Sequence, residues 1–132
     1  MSFVYNVDSS PYSTYTDGEW TVRKWEDGTL ECWCLHHFTK GYIEGQSSAT
    51  NFEHWGTLYV CRLGRVNYPV TFISAPVCAY SLDGNDSGVG MIDIVTSGNT
   101  SQTPLVGFVR PVDTLLSQAG CTVGFHAIGR WK

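Results

Sequence analysis

Between residues 19 and 35, apolar and polar side chains alternate on either side of Glu26-Asp27-Gly28. A period of two is the signature of a β-strand. Asp-Gly between two such runs signals a tight hairpin. A three-residue loop with Gly28 in the left-handed conformation puts Trp20, Val22 and Lys24 on one face with Leu30, Cys32 and Cys34. Thr21, Arg23 and Trp25 then share the other face with Thr29, Glu31 and Trp33. This register sets Arg23 opposite Glu31, a cross-strand charge pair contributing roughly 0.2–1 kcal/mol. A two-residue turn would set Arg23 against Cys32, and a slip of one residue exchanges the faces. The first register is therefore preferred. Its second face carries two tryptophans beside a charge pair and is expected to pack on the domain or on another chain.

The rest of the chain divides around this hairpin. Residues 1–18 lack periodicity and read as a neck or linker. Residues 36–55 form a polar, Gly-containing loop, with weak strand character at 40–43. From Gly56, strands recur at regular spacing, as in a sandwich or barrel. They are predicted at 57–63, 70–74, 77–82, 89–96, 105–110 and 121–131. The connections are rich in Gly, Asn, Ser and Pro, and only 114–119 suits a helical turn. Several strands are apolar on both faces, as central or subunit-contacting strands are. The predicted fold is an all-β antiparallel sandwich preceded by a β-hairpin, in a single domain over 19–132 that includes the hairpin at 19–35.

Composition narrows the class. Charged residues make up 15% of the chain against 14% aromatics and 14 glycines, an all-β balance. The net charge of −4 comes without a Lys/Arg cluster, so a phosphate-backbone surface is not expected and nucleic acid is a poor partner. No apolar run is long enough to cross a bilayer as a helix, and no charged-then-apolar leader stands before the domain. Membrane insertion is not expected. The five cysteines, Cys32, Cys34, Cys61, Cys78 and Cys121, cannot all pair within one chain. Each sits in an apolar setting, so they are expected to be buried thiols in a protein made in a reducing cytosol.

Two resemblances follow from particular residues. The hairpin Trp20-x-x-Arg23-Lys24-Trp25-x-x-Gly28-x-x-Glu31-Cys32-Trp33 resembles a motif of tail-fibre and minor structural proteins of tailed bacteriophages that infect Gram-positive hosts. Matches continue at Trp55-Gly56, Tyr68-Pro69-Val70-x-Phe72, Ala75-Pro76-Val77, Arg110-Pro111 and the ending Ala127-Ile128-Gly129-Arg130-Trp131-Lys132. The second half is also similar to H-type lectins, through Phe72-x-x-Ala75-Pro76-Val77, Gly107-Phe108 and Ala127-Ile128-Gly129. The lectin resemblance implies a six-stranded antiparallel β-sandwich, a trimer and sugar binding. Together they imply a virion protein, made in the host cytoplasm. It would be a receptor-binding tip domain that forms a homotrimer, joins other tail-fibre segments and contacts a host cell-surface polysaccharide or glycan. The alternative is a purely structural trimeric cap.

The chemistry in the sequence fits binding better than catalysis. No Gly-x-Ser-x-Gly elbow occurs. Asp83, Asp86 and Asp93 do not make a convincing glycosidase pair, and residues 83–88 read as turn chemistry. His36, His37 and His54 lack metal-ligand spacing, and adjacent histidines on a strand point to opposite faces. No enzyme activity, cofactor or metal is expected. If successive strands from Gly56 run antiparallel, the connections 64–69, 83–88 and 111–120 share one end. That end would hold Arg65, Asn67, Tyr68, Asp83, Asn85, Asp86 and Asp113 as ligand-binding residues, with Gln118 nearby. An exposed ring beside Asp or Asn suits a sugar, whose apolar face stacks while its hydroxyls take hydrogen bonds.

Overall fold

The computed structural model describes residues 11–39, 53–84, 90–95, 99–110 and 120–132. Its strands are β1 (Tyr12–Asp17), β2 (Trp20–Trp25), β3 (Thr29–Phe38), β4 (Glu53–Trp55), β5 (Leu58–Gly64), β6 (Val77–Gly84), β7 (Gly90–Val95), β8 (Leu105–Arg110) and β9 (Cys121–Arg130). All pairings are antiparallel, in two sheets ordered β1-β2-β3-β9-β6 and β4-β5-β8-β7. The described residues contain no helix. The fold is the expected all-β antiparallel sandwich.

The β2–β3 hairpin has the register its alternation dictates, with Arg23 opposite Glu31 and Val22 opposite Cys32. Its loop is Glu26-Asp27-Gly28, and Gly28 stands at a φ of 100°. The Gly28 N–H donates to the Trp25 carbonyl at 3.1 Å. The Thr29 N–H donates to Asp27 Oδ1 at 2.8 Å. That bond, with help from the Thr29 side chain, holds the Asp27 carboxyl below its ordinary range. A Cβ at residue 28 would strike the Arg130 guanidinium and come within 2.7 Å of the Lys132 carbonyl oxygen. The turn is thus closed by the C-terminus, which also sends the Trp131 N–H to the Gly28 carbonyl at 2.9 Å.

The inner face of the hairpin, Trp20, Val22, Leu30, Cys32, Cys34 and Phe38, builds one side of the core. Val123, Phe125 and Ala127 extend it on β9, and Cys61, Leu63 and Val106 face it from the second sheet. No disulfide joins any two of the five cysteines; all but Cys78 are buried, and Cys78 is half-buried. Burial pushes the Cys32 and Cys34 thiols up to about 12, as desolvation does to any group whose charged form needs water.

Three expectations need correction. The hairpin does not precede the sandwich; β3 pairs along its whole length with β9, from Thr29 opposite Arg130 to Phe38 opposite Cys121. Residues 12–17, assigned to the neck, form β1 and pair with all of β2. This edge strand is exposed at every position, so it carries no core pattern to read. Finally, residues 70–74 are not a strand, and the six-strand count from Gly56 fails there. Phe72 is only 2% exposed and stacks edge-on against Tyr68, with ring centroids 5.3 Å apart. The segment is a plug. Two of its N–H groups go to separate acceptors: Phe72 to the Thr100 carbonyl at 3.0 Å, Ile73 to the Arg130 carbonyl at 3.0 Å. Pro69 and Pro76 bracket it, and neither can donate to a ladder. The predictions at 40–43 and 114–119 lie outside the described residues.

Candidate functional site

Losing one strand changes the parity of every later connection. Gly64, at the end of β5, pairs with Val106 near the start of β8. Gly90, at the start of β7, pairs with Val109 near the end of β8. The chain therefore leaves β5 at one end of the four-stranded sheet and enters β7 at the other. Arg65, Asn67 and Tyr68 neighbour the 99–103 segment, which is not among the connections expected to share their end.

That junction is fully zipped. Gly64 turns the chain at a φ of 79°. The Val66 N–H donates to Thr103 Oγ1 at 2.9 Å, and the Thr103 N–H returns to the Val66 carbonyl at 2.8 Å. Arg65 Nη1 donates to the Thr103 carbonyl at 3.0 Å. Asn67 bridges Gln102, whose Nε2 donates to Asn67 Oδ1 at 2.8 Å. The Tyr68 N–H donates to the Ser101 carbonyl at 2.8 Å. Asn99 organises the other side, its Oδ1 accepting from the Ser101 N–H at 2.8 Å and the Gln102 N–H at 3.2 Å. These bonds satisfy Thr103, a fully buried polar residue.

Arg65 and Asn67 open onto a hollow of about 410 Å³, lined also by His36, His37, Phe38, Thr39 and Val66. A carboxylate only accepts, so His36 Nδ1 carries the proton in its 2.5 Å contact with Glu19 Oε1. His37 Nδ1 lies 2.9 Å from Thr122 Oγ1. The two imidazoles are thus tied in different directions, as their adjacent positions on β3 require. Arg65, Asn67, His36 and His37 at the rim of this hollow are residue types suited to hydrogen-bonding a polar ligand. The histidines' place beside Arg65 was not readable from sequence, because it depends on how far β3 runs before the chain leaves the sheet.

The other predicted residues fall elsewhere. Tyr68 is a correction: its ring is 8% exposed and packs between Trp20 at 5.8 Å and Phe72 at 5.3 Å. Burial, then a hydrogen bond with Cys78, pushes its phenol far above the ordinary value. A ring so placed gives a ligand no platform. Asp83 is placed by its backbone in β6, opposite Thr122 of β9. Asn85, Asp86, Asp113 and Gln118 lie outside the described residues.

No protein-family model matches the chain, and no curated protein does. Among solved structures, the chain is similar to a P. aeruginosa R1 pyocin fibre fragment comprising C-terminal residues 323–701. The similarity has a TM-score of 0.47 and 16% sequence identity, and it covers 90% of this chain. The chain spans only 28% of the length of that fragment.

Proposed function

We propose that this chain is a receptor-binding domain of a phage tail fibre, carried on the virion as a homotrimer, that attaches to host cell-surface glycan. The motif resemblance, from Trp20-x-x-Arg23-Lys24-Trp25 to the Ala127-Ile128-Gly129-Arg130-Trp131-Lys132 ending, supports the tail-fibre part. The observation that carries attachment is the hollow in which Arg65 and Asn67 meet His36 and His37. Sugar hydroxyls both donate and accept, and this set of guanidinium, amide and imidazole groups can meet them in either sense. Asp83, Asn85, Asp86 and Asp113 stay in the proposal as further ligand-binding residues. A trimer would present each site three times, so weak contacts would add through avidity.

A second reading, a structural cap without ligand, has its own support. Val77 is 79% exposed, Ile73 61% and Ile128 45%. Val77 and Ile128 are cross-strand neighbours, and Ile73 bonds to Arg130 two residues further on. An apolar ridge of this kind suits a subunit contact. Both readings need the trimer; only the first needs the hollow. Binding of the purified domain to intact host cells and to a glycan array separates them. Retention of binding in Arg65→Ala and Asn67→Ala would remove the hollow from the account, and absence of all binding would favour the cap. A monomer by light scattering at micromolar concentration would contradict both.

A further inference from the structure

The outer face of the five-stranded sheet holds a second hollow, of about 450 Å³, lined by Arg23, Glu31, Trp33 and His126. The geometry points to it as a carbohydrate site for an uncharged pyranose, separate from the hollow at Arg65 and independent of it.

Three adjacent strands supply it. Arg23 on β2 stands opposite Glu31 on β3, and Trp33 on β3 stands opposite His126 on β9. The volume is of the size that small-ligand sites occupy. Trp33 is half-buried, so part of its indole faces the hollow. His126 meets that ring edge-on at 5.8 Å, with planes 83° apart. Such a ring is what the C–H face of a sugar stacks on.

The polar groups around the ring are held in place before any ligand arrives. The Glu31 side chain is only 15% exposed and accepts from His126 Nε2 at 3.1 Å, so that nitrogen carries the proton. Arg23 Nη1 lies 3.7 Å from Glu31 Oε1, close enough for an ion pair and too far for a hydrogen bond. Oε1 therefore keeps acceptor capacity for a hydroxyl. Arg23 itself is fixed by its Nε bond to Thr14 Oγ1 at 3.2 Å. Its guanidinium also lies 4.9 Å from the centroid of Tyr12 and 5.4 Å from that of Trp33.

This arrangement also selects against charge. The Arg23 cation is already opposed by Glu31, so an anionic sugar gains no unpaired partner. Its carboxylate would approach the half-buried Glu31 oxygens. A neutral sugar meets an acceptor in Glu31, donors in Arg23, and a ring.

The test is an NMR titration of the ¹⁵N-labelled protein. The probes are neutral tetrasaccharides of glucose, galactose, rhamnose and N-acetylglucosamine, with a tetragalacturonate as the charged arm. The inference expects saturable shifts of the Trp33 indole N–H and the His126 amide with at least one neutral probe, and a weaker response to tetragalacturonate. Glu31→Gln keeps the shape and removes the charged acceptor. It should weaken binding by at least about tenfold, and so should Trp33→Ala, whose fold is checked from the dispersion of the remaining amides. Arg65→Ala should leave these shifts unchanged. No saturable response at Trp33 with any neutral probe would overturn the inference. So would full binding in Glu31→Gln, or shifts confined to Arg65, Asn67 and their neighbours; that last result would leave the proposed function standing.

Discussion

Phe125 and His126 are neighbours in the chain and face opposite sides of one sheet. Phe125 points into the core between Cys34 and Tyr80 on the adjacent strands, whereas His126 points outward between Trp33 and Ala79. The two faces have opposite chemistry. The inner one is buried aliphatics, thiols and rings. The outer one carries Arg23, Glu31 and His126 around Trp33, then gives way to the apolar Ile128 and Val77. A sheet face that only had to meet water would not need a tryptophan held between a guanidinium and an imidazole. The contrast separates residues that hold the fold from residues that are free to recognise something else.

Alanine at each of the two neighbours should have unequal effects. Phe125→Ala should destabilise by about 3–5 kcal/mol in chemical denaturation, because a buried ring leaves a cavity. His126→Ala should stay within about 0.5 kcal/mol, as exposed substitutions do. Comparable losses for the two would mean that the outer face is structural. Gly28→Val comes next. The left-handed φ alone costs roughly 1–2 kcal/mol for a side chain, and the contact with Arg130 and the Lys132 carbonyl adds to it. An unchanged melting temperature would mean that the hairpin turn is not what holds the C-terminus.

The inner face can also be tested through its thiols. An exposed thiol has an ordinary value of 9.0, and Cys32 and Cys34 are pushed up to about 12. Above pH 9 the unfolded chain therefore loses protons that the folded chain keeps. The contribution is full below pH 9 and is lost as pH rises toward 12. Stability should fall along that alkaline limb, and the slope should flatten in Cys32→Ala/Cys34→Ala. Neither thiol should react with iodoacetamide at pH 8 in the native state, and reductant should leave the melting temperature unchanged. The smallest effect belongs to the outer face. Arg23→Ala should shift stability by no more than about 1 kcal/mol, while lowering binding of any ligand seated on Trp33.

Much of the inner face was legible in the sequence. Alternation and Asp27-Gly28 gave the hairpin, its register and the Arg23–Glu31 pair, because local spacing decides all three. What was not legible has particular causes. β1 is exposed at every residue, so no apolar rhythm marks it. Val70 and Phe72 alternate like a strand but belong to a plug between two prolines, and counting them as a strand inverted the connections that follow. Tyr68 falls in the 64–69 connection and so reads as a candidate ligand residue, yet its ring fills the core. The outer hollow could be half read from the hairpin. His126 completes it from 95 positions away along the chain, and only the β3–β9 pairing brings it there.

The most direct test of the account is calorimetric titration of the domain with purified wall polysaccharide from Gram-positive cells. The wild type is compared with Trp33→Ala and Arg65→Ala, alone and together. Saturable binding by the wild type is expected. Each single variant should bind more weakly, and the pair should lose binding with its thermal transition intact. A folded wild-type trimer that binds none of the polysaccharides would contradict the attachment function and leave the structural cap.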